Sequence, residues 1–361
     1  MYRSGNYGAT LQAYATKQAI NENGFGEAEI INYCSDAVKQ KMDLKFIKKA
    51  GLFRSAVACV EKIYYYPRMK KVNAFIDSYA PAGQLKREEL PALNDKYDIF
   101  LSGSDQIWNP QIQQGDFSYL LDFVDDPKKK RSYGSSFGTK VIDDEYKESY
   151  KKLLSEYEHL TVRESVGIDL IEELIGRQAE LVLDPTLLLT TEQWKAKLPQ
   201  RKFKGKFVFA YQMAHSPLIA NVVSKARKHF SSKAVFVPFP ILGACKCRPS
   251  LNLSSLEWLR AIHDSEFVVT DSFHGVVFSI IFRKQFYYII TSDTVRKRLS
   301  RLETLLGSLG ISDRLIDNVE KCDFDARIDY DAVHERLDSL RQRSLYILKE
   351  LVTNEVEQNQ K

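Results

Sequence analysis

Residues 266–282, EFVVTDSFHGVVFSIIF, carry an imidazole where an apolar strand gives way to a helix. The β-branched and aromatic run 267–270 is too short for a helix of its own, and Asp271, Ser272, Phe273, His274 and Gly275 interrupt the apolar pattern before it resumes. Gly275 lets backbone approach closely at the start of the following helix. His274 is therefore expected at the carboxyl end of a strand, beside unpaired helix N–H groups, where open α/β sheets bind ligands. The competing reading is a core histidine hydrogen-bonded to a neighbour. A second candidate site lies in residues 97–110, YDIFLSGSDQIWNP, where a strand over 97–101 runs into Ser102, Gly103, Ser104, Asp105, Gln106 and Trp108. Small residues followed by a carboxylate, an amide and an aromatic suit a sugar, whose hydroxyls need planar donors and acceptors and whose ring face stacks on an aromatic. A hydrogen-bonded βα turn closed by a core tryptophan explains them equally.

The elements that would position these residues form an αβ rhythm. In the first half, strands over 29–33, 97–101, 131–138, 159–165 and 179–185 alternate with helical segments, and the later four end in polar residues, Arg163 and Asp184 among them. After Thr190 the charged stretch 192–206 reads as a boundary, and the pattern restarts. Strands are expected over 207–212, 234–239, 267–270 and 285–290, with helices over 217–230, 253–263 and 295–309 and a final amphipathic helix over 330–352, whose tail 354–361 frays. This predicts an α/β protein of two Rossmann-like domains, residues 1–190 and 191–325, followed by a C-terminal helix and tail, 326–361. The opening MYRSGNYGATLQAYATKQAI is unusual, because a glycine-bearing loop entering a helix normally follows the first strand of a βαβ unit. The first domain is accordingly expected to lack its first strand.

Composition narrows the function. The chain has 361 residues, 44% hydrophobic and 27% charged, and a net charge of +5, which is average for a folded protein and too diffuse for a duplex-binding arm. An anionic small molecule fits that charge better than nucleic acid does. The densest basic runs, 39–49 and 128–131, read as solvated faces, and the tyrosines 64–66 as a helix end packed on a sheet. The five cysteines are scattered, with Cys245 and Cys247 too close together to make a zinc knuckle alone, so neither a metal site nor a disulfide framework is expected. With no secretory pattern before the first motif and no apolar run of roughly 18 residues, a cytoplasmic location is the expectation.

Six segments in one order, NYGATLQAYA (6–15), SGSDQIWNP (102–110), YGSSFG (133–138), VRE (162–164), LDPTLLL (183–189) and TDSFHG (270–275), resemble the polysaccharide pyruvyl transferase family over about nine tenths of the chain. The resemblance implies a GT-B-like pair of domains facing a cleft. It also implies transfer of a pyruvyl group from phosphoenolpyruvate, a co-substrate rather than a bound cofactor, onto two sugar hydroxyls as a cyclic ketal in surface polysaccharide assembly. An acid must protonate the enol's methylene carbon, and His274, matching the family's histidine, is the candidate general acid. The donor's carboxylate and phosphate favour guanidinium groups. Arg163, in the VRE motif and reaching from the other domain, is the first candidate, and Arg260, Arg296, Arg298 and Arg301 are further ones, with Arg301 the best match. Ser272 stands where characterised members often carry arginine, so the phosphate would rest on the helix N-terminus, with Ser272 and Gly275 in the donor set. On the acceptor side Asn6, Gln12, Ser104, Gln106 and Trp108 are expected to bind the sugar, with Asp105 as base. A lipid-linked acceptor would bring basic surface residues to the inner face of the membrane. Two other functions fit the same pattern: a nucleotide-sugar glycosyltransferase, and a non-catalytic sugar-binding member of a capsule-assembly complex.

Overall fold

The computed structural model describes residues 3, 5–37, 66–214, 216–238, 250, 252–296 and 299–353. Several expected features lie outside them: the basic run 39–49, Tyr64 and Tyr65, Cys245 and Cys247, Arg298 and the tail 354–361. The protein is a mixed α/β chain with parallel sheets, divided into two compact units. The first draws on Met1–Phe46, Ile76–Leu189 and Asp338–Lys361, the second on Ile47–Phe75 and Thr190–Leu337.

In the first unit, helix α1 (Tyr7–Glu22) starts at Asn6, whose side chain accepts from the Gly8 N–H at 2.9 Å and so satisfies one of the end groups that a helix leaves open. The strands are short: β1 (Phe100–Ser102), β2 (Lys130–Ser132), β3 (Thr161–Val162) and β4 (Glu180–Leu181), with α2 (Asp144–Ser155) and α3 (Ser165–Ile175) between the later ones. β1 pairs with β2 and β3 with β4, both parallel, and parallel bridges Arg131–His159 and Ser135–Val162 join the two pairs in the order β1-β2-β3-β4. Residues 26–32 belong to no strand, and Tyr33 makes a single bridge to Leu85. Trp108, Phe137, Tyr150 and Tyr157 centre the core of this unit.

The second unit holds β5 (Phe207–Gln212), α4 (Pro217–His229), β6 (Lys233–Pro238), α5 (Ser255–Asp264), β7 (Phe267–Thr270), α6 (Phe273–Ile281), β8 (Phe286–Ile289), α7 (Ser300–Leu309) and β9 (Leu315–Ile316). Its five strands are all parallel, in the order β6-β5-β7-β8-β9. Every residue of β5, β7 and β8 is buried, which is why these strands are continuous apolar runs without alternation. The helix expected over 295–309 is two pieces, Asp293–Arg296 and α7, and β9 was not foreseen. Helix α8 (Tyr330–Thr353) closes the described chain.

Among the described residues, no helix is long and apolar enough to cross a membrane and no cluster of His, Cys, Asp or Glu could hold a metal ion.

Candidate functional site

The strand order of the second unit reverses direction at β5, so β5 and β7 lie side by side while their following helices cover opposite faces. Such a switch point leaves a crevice at the carboxyl ends of the strands. The sequence places its polar residues there. Thr270 ends β7 and donates its hydroxyl to Tyr211 O, on β5, at 2.8 Å, while accepting from Ser272 N at 3.1 Å. The Asp271 carboxylate accepts from Met213 N at 2.6 Å and Ala214 N at 2.8 Å, and so ties the segment after β5 to the end of β7. Ser272 caps α6, accepting from Gly275 N at 3.4 Å.

Gly275 is required by close approach: a Cβ there would lie 2.6 Å from Thr270 Oγ1. With no side chain in the way, the first turn of α6 sits on the strand end and His274 is buried within it. Its ring meets Phe273 edge-on at 5.2 Å, and the Arg301 guanidinium lies over the Phe273 ring at the same distance. Burial pushes the Asp271 carboxyl up to about 6 against the opposing pull of its backbone N–H donors. Burial likewise pushes the Tyr288 phenol up, with Asp271 adding to the shift and Arg301 opposing it, so all three groups share one electrostatic neighbourhood. This arrangement offers an imidazole, a readily protonated carboxyl, a helix N-terminus and a guanidinium at one sheet end.

Two of the expected arginines are engaged elsewhere. Arg260 pairs with Asp264 at 2.7 Å and donates to Pro199 O, and since Asp264 ends α5 just before β7 begins, this pair lies toward the amino end of that strand. Arg296 pairs with Asp317 at 2.8 Å.

In the first unit the polar strand ends also converge. Arg163, after β3, is fully buried and bonds Asp184, after β4, and Asp105, after β1, the latter at 3.1 Å. Glu164 accepts from Ser136 Oγ at 2.7 Å, and Ser104 Oγ donates to Asp184 at 3.4 Å. Burial disfavours the Arg163 charge, but Asp184, Asp105 and Glu164 outweigh it and hold the guanidinium above its ordinary value. Among these groups Asp105 is the one at the rim, with its side chain 15% exposed and a left-handed backbone, φ 73°, held by the Ser136 N–H at 3.1 Å. A non-glycine residue in that conformation is a strained position of the kind found at working sites. Arg163 fixes its carboxylate.

Of the other acceptor candidates, Gln106 lies across Gly138, where any Cβ would collide with its amide. Gln12 donates to Thr16 Oγ1 at 3.1 Å, and its amide lies beside Gly103, just past the end of β1. Asn6 serves as the α1 cap. Trp108 is wholly buried, donating to Ser102 Oγ at 3.1 Å and packed on Phe137 and Tyr157, so in this unit its ring belongs to the core.

Sequence reasoning assigned no role to Asp271, Thr270, Glu164 or Tyr288. Asp271 and Thr270 were within a quoted motif, whereas Tyr288 carries no local signal.

The family model described as polysaccharide pyruvyl transferase matches residues 6–293. No curated protein and no solved structure matches the chain.

Proposed function

The chain belongs to the polysaccharide pyruvyl transferase family, and on that premise we propose that it moves the pyruvyl group of phosphoenolpyruvate onto two hydroxyls of a saccharide as a cyclic ketal. The observation that supports this most is the placement of His274 on the first turn of α6 at the β5/β7 switch point, next to Asp271 and near Arg301. The donor is a small dianionic or trianionic molecule, and a helix N-terminus with a guanidinium nearby suits its phosphate and carboxylate.

In this reading His274, protonated, gives its proton to the methylene carbon of the enol. Carbon 2 becomes electrophilic and a sugar hydroxyl adds to it, losing its proton to a base. Phosphate then leaves with the carbon–oxygen bond electrons, and the second hydroxyl closes the ketal as its proton passes to the neutral His274 imidazole, which restores the acid. Asp105, held by Arg163, is the proposed base of the acceptor side, with Gln106 beside it for hydroxyl recognition. Arg301 takes the clamp role for the donor, and Arg163 acts on the acceptor side as a positioning residue. The GT-B-like pairing of two Rossmann-like domains, a lipid-linked acceptor at the inner membrane face and a place in bacterial surface polysaccharide assembly belong to the same proposal.

Thermal unfolding with phosphoenolpyruvate or with nucleotide sugars tests it. Millimolar phosphoenolpyruvate should raise Tm and the nucleotide sugars should not, since a ligand at about 100 times its Kd stabilises by about 2.7 kcal/mol. Stabilisation by a nucleotide sugar alone would turn the reading into that of a glycosyltransferase.

A further inference from the structure

The buried stripe of helix α8 is interrupted by two polar residues. Leu337, Arg341, Ser344, Leu348 and Leu351 recur at alternating steps of four and three, the spacing of one helix face, and all five are buried. Leucines at 341 and 344 would complete that face without desolvating anything polar. A guanidinium and a hydroxyl in such positions are costly unless each finds a partner. Burial does disfavour the Arg341 charge, and Asp338 opposes the shift only in part.

The second half of α8, from Asp338, belongs to the first unit, and both polar residues find their partners there. Arg341 Nε donates to Leu187 O at 2.7 Å, and Ser344 Oγ accepts from Leu183 N at 3.0 Å. The two bonds bracket the short helical turn Pro185–Leu187 and the residue ahead of it, Asp184. Pro185 has its φ fixed by the ring, so this segment has few ways to shift except as a body.

Asp184 is where the segment meets the candidate site. Its Oδ1 accepts from Thr186 N at 3.0 Å and from Thr186 Oγ1 at 2.6 Å, which caps the turn, and its Oδ2 holds the Arg163 guanidinium. Arg163 in turn bonds Asp105 at 3.1 Å. One carboxylate thus converts the position of the 183–187 backbone into that of a guanidinium, and the guanidinium sets the carboxylate at the rim. The wholly buried Tyr133 phenol belongs to the same group. Burial pushes it up, the Ser344 hydroxyl opposes and Asp184 adds, so Ser344 and Asp184 share one neighbourhood.

We propose that Arg341 and Ser344 are positioning residues for the acceptor-side base: by pinning residues 183–187 at both ends they set Asp184, through it Arg163, and through that the Asp105 carboxylate. The catalytic use of this placement rests on the reading of Asp105 as the base of pyruvyl transfer, whereas the placement itself does not. A carboxylate that takes a hydroxyl proton has to be ionised and aimed when the hydroxyl arrives, and a guanidinium 3.1 Å away secures both.

The test follows the carboxyl carbon of Asp105 by NMR titration of the full chain, the signal being identified by its loss in Asp105→Asn. Ser344→Ala and Arg341→Met should each raise its midpoint by about 0.5 pH unit, a fraction of the roughly 1–3 that a neighbouring arginine exerts on an aspartate. Ser344→Thr keeps the hydroxyl and should stay at the parent midpoint. Leu351→Ala, which loosens the same helix about two turns beyond Ser344, should stay there too, because stability alone does not move this titration. An unmoved midpoint in Ser344→Ala or in Arg341→Met, or an equal rise in Leu351→Ala, would overturn the proposal. Should Arg341→Met fail to fold, Arg341→Lys takes its place, since an ammonium lacks the planar Nε donor. Phosphate release from phosphoenolpyruvate is measured alongside. Raised midpoints with no release by the parent would leave the placement standing and sink the activity, and release with unmoved midpoints would do the reverse.

Discussion

Replacing Gly275 by alanine probes the contact that seats His274. The new Cβ would lie 2.6 Å from Thr270 Oγ1, 2.9 Å from its Cγ2 and 3.1 Å from its Cβ. Thr270 has little freedom to turn away, because its hydroxyl is fixed between Tyr211 O at 2.8 Å and Ser272 N at 3.1 Å. In an open helix the same change stabilises by about 0.8–1.0 kcal/mol. Here overpacking costs about 1–3 kcal/mol, and a broken Thr270 hydrogen bond adds about 1 kcal/mol. The net expectation is a loss of about 1–3 kcal/mol, read as a lower urea midpoint with an unchanged slope. Displacement of the first turn of α6 should also slow phosphate release by about 10–100-fold. Thr270→Ala removes the two nearest atoms, so in that background Gly275→Ala should cost at least about 1 kcal/mol less, a coupling that a double-mutant cycle measures. A Gly275→Ala protein more stable than the parent by about 1 kcal/mol would refute the close approach and with it the account of how His274 is held.

Other perturbations follow from the same geometry. Arg163→Met strands the buried Asp184 carboxylate, and Asp105 at the rim, without their guanidinium, and should cost about 3–5 kcal/mol by chemical denaturation, with Arg163→Lys recovering part; a loss below about 1 kcal/mol would contradict the pairing. Asp271 contributes a stability that depends on pH. Its carboxyl is raised by burial from 3.8 to about 6, so the folded state holds the proton more tightly; the contribution is complete below about pH 4 and is lost as pH rises through 6. The change amounts to roughly 3 kcal/mol, and pH-dependent unfolding of Asp271→Asn should lack this decline; an unaltered profile would contradict it.

What could be read from the sequence was set by how local each signal is. The strands β5 and β7 were legible because burial on both faces makes them uninterrupted apolar runs, and His274 at the end of β7 followed from the polar interruption at 271–275. β9 has two residues and no run to detect. The break before α7 was hidden because Val295, Leu299 and Leu302 keep helical spacing across it, although Leu299 opens a new helix by accepting from Leu302 N and Glu303 N. The Arg163 cluster was illegible as a cluster, since its partners stand 58 and 21 residues away and meet only when parallel strands align their carboxyl ends. Asn6 and Trp108 show the limit of residue type as evidence. An amide that could hold a sugar hydroxyl equally caps a helix, and a ring that could stack on a pyranose equally fills a core.

The central claim is that His274 protonates phosphoenolpyruvate. It is tested most directly by phosphate release from phosphoenolpyruvate with a saccharide acceptor, measured for the parent and for His274→Gln, with donor binding followed by calorimetry on both. The expected result is a turnover lower by about 10²–10⁴-fold with a phosphoenolpyruvate Kd changed by less than about threefold. Turnover by His274→Gln at the parent rate would contradict the claim.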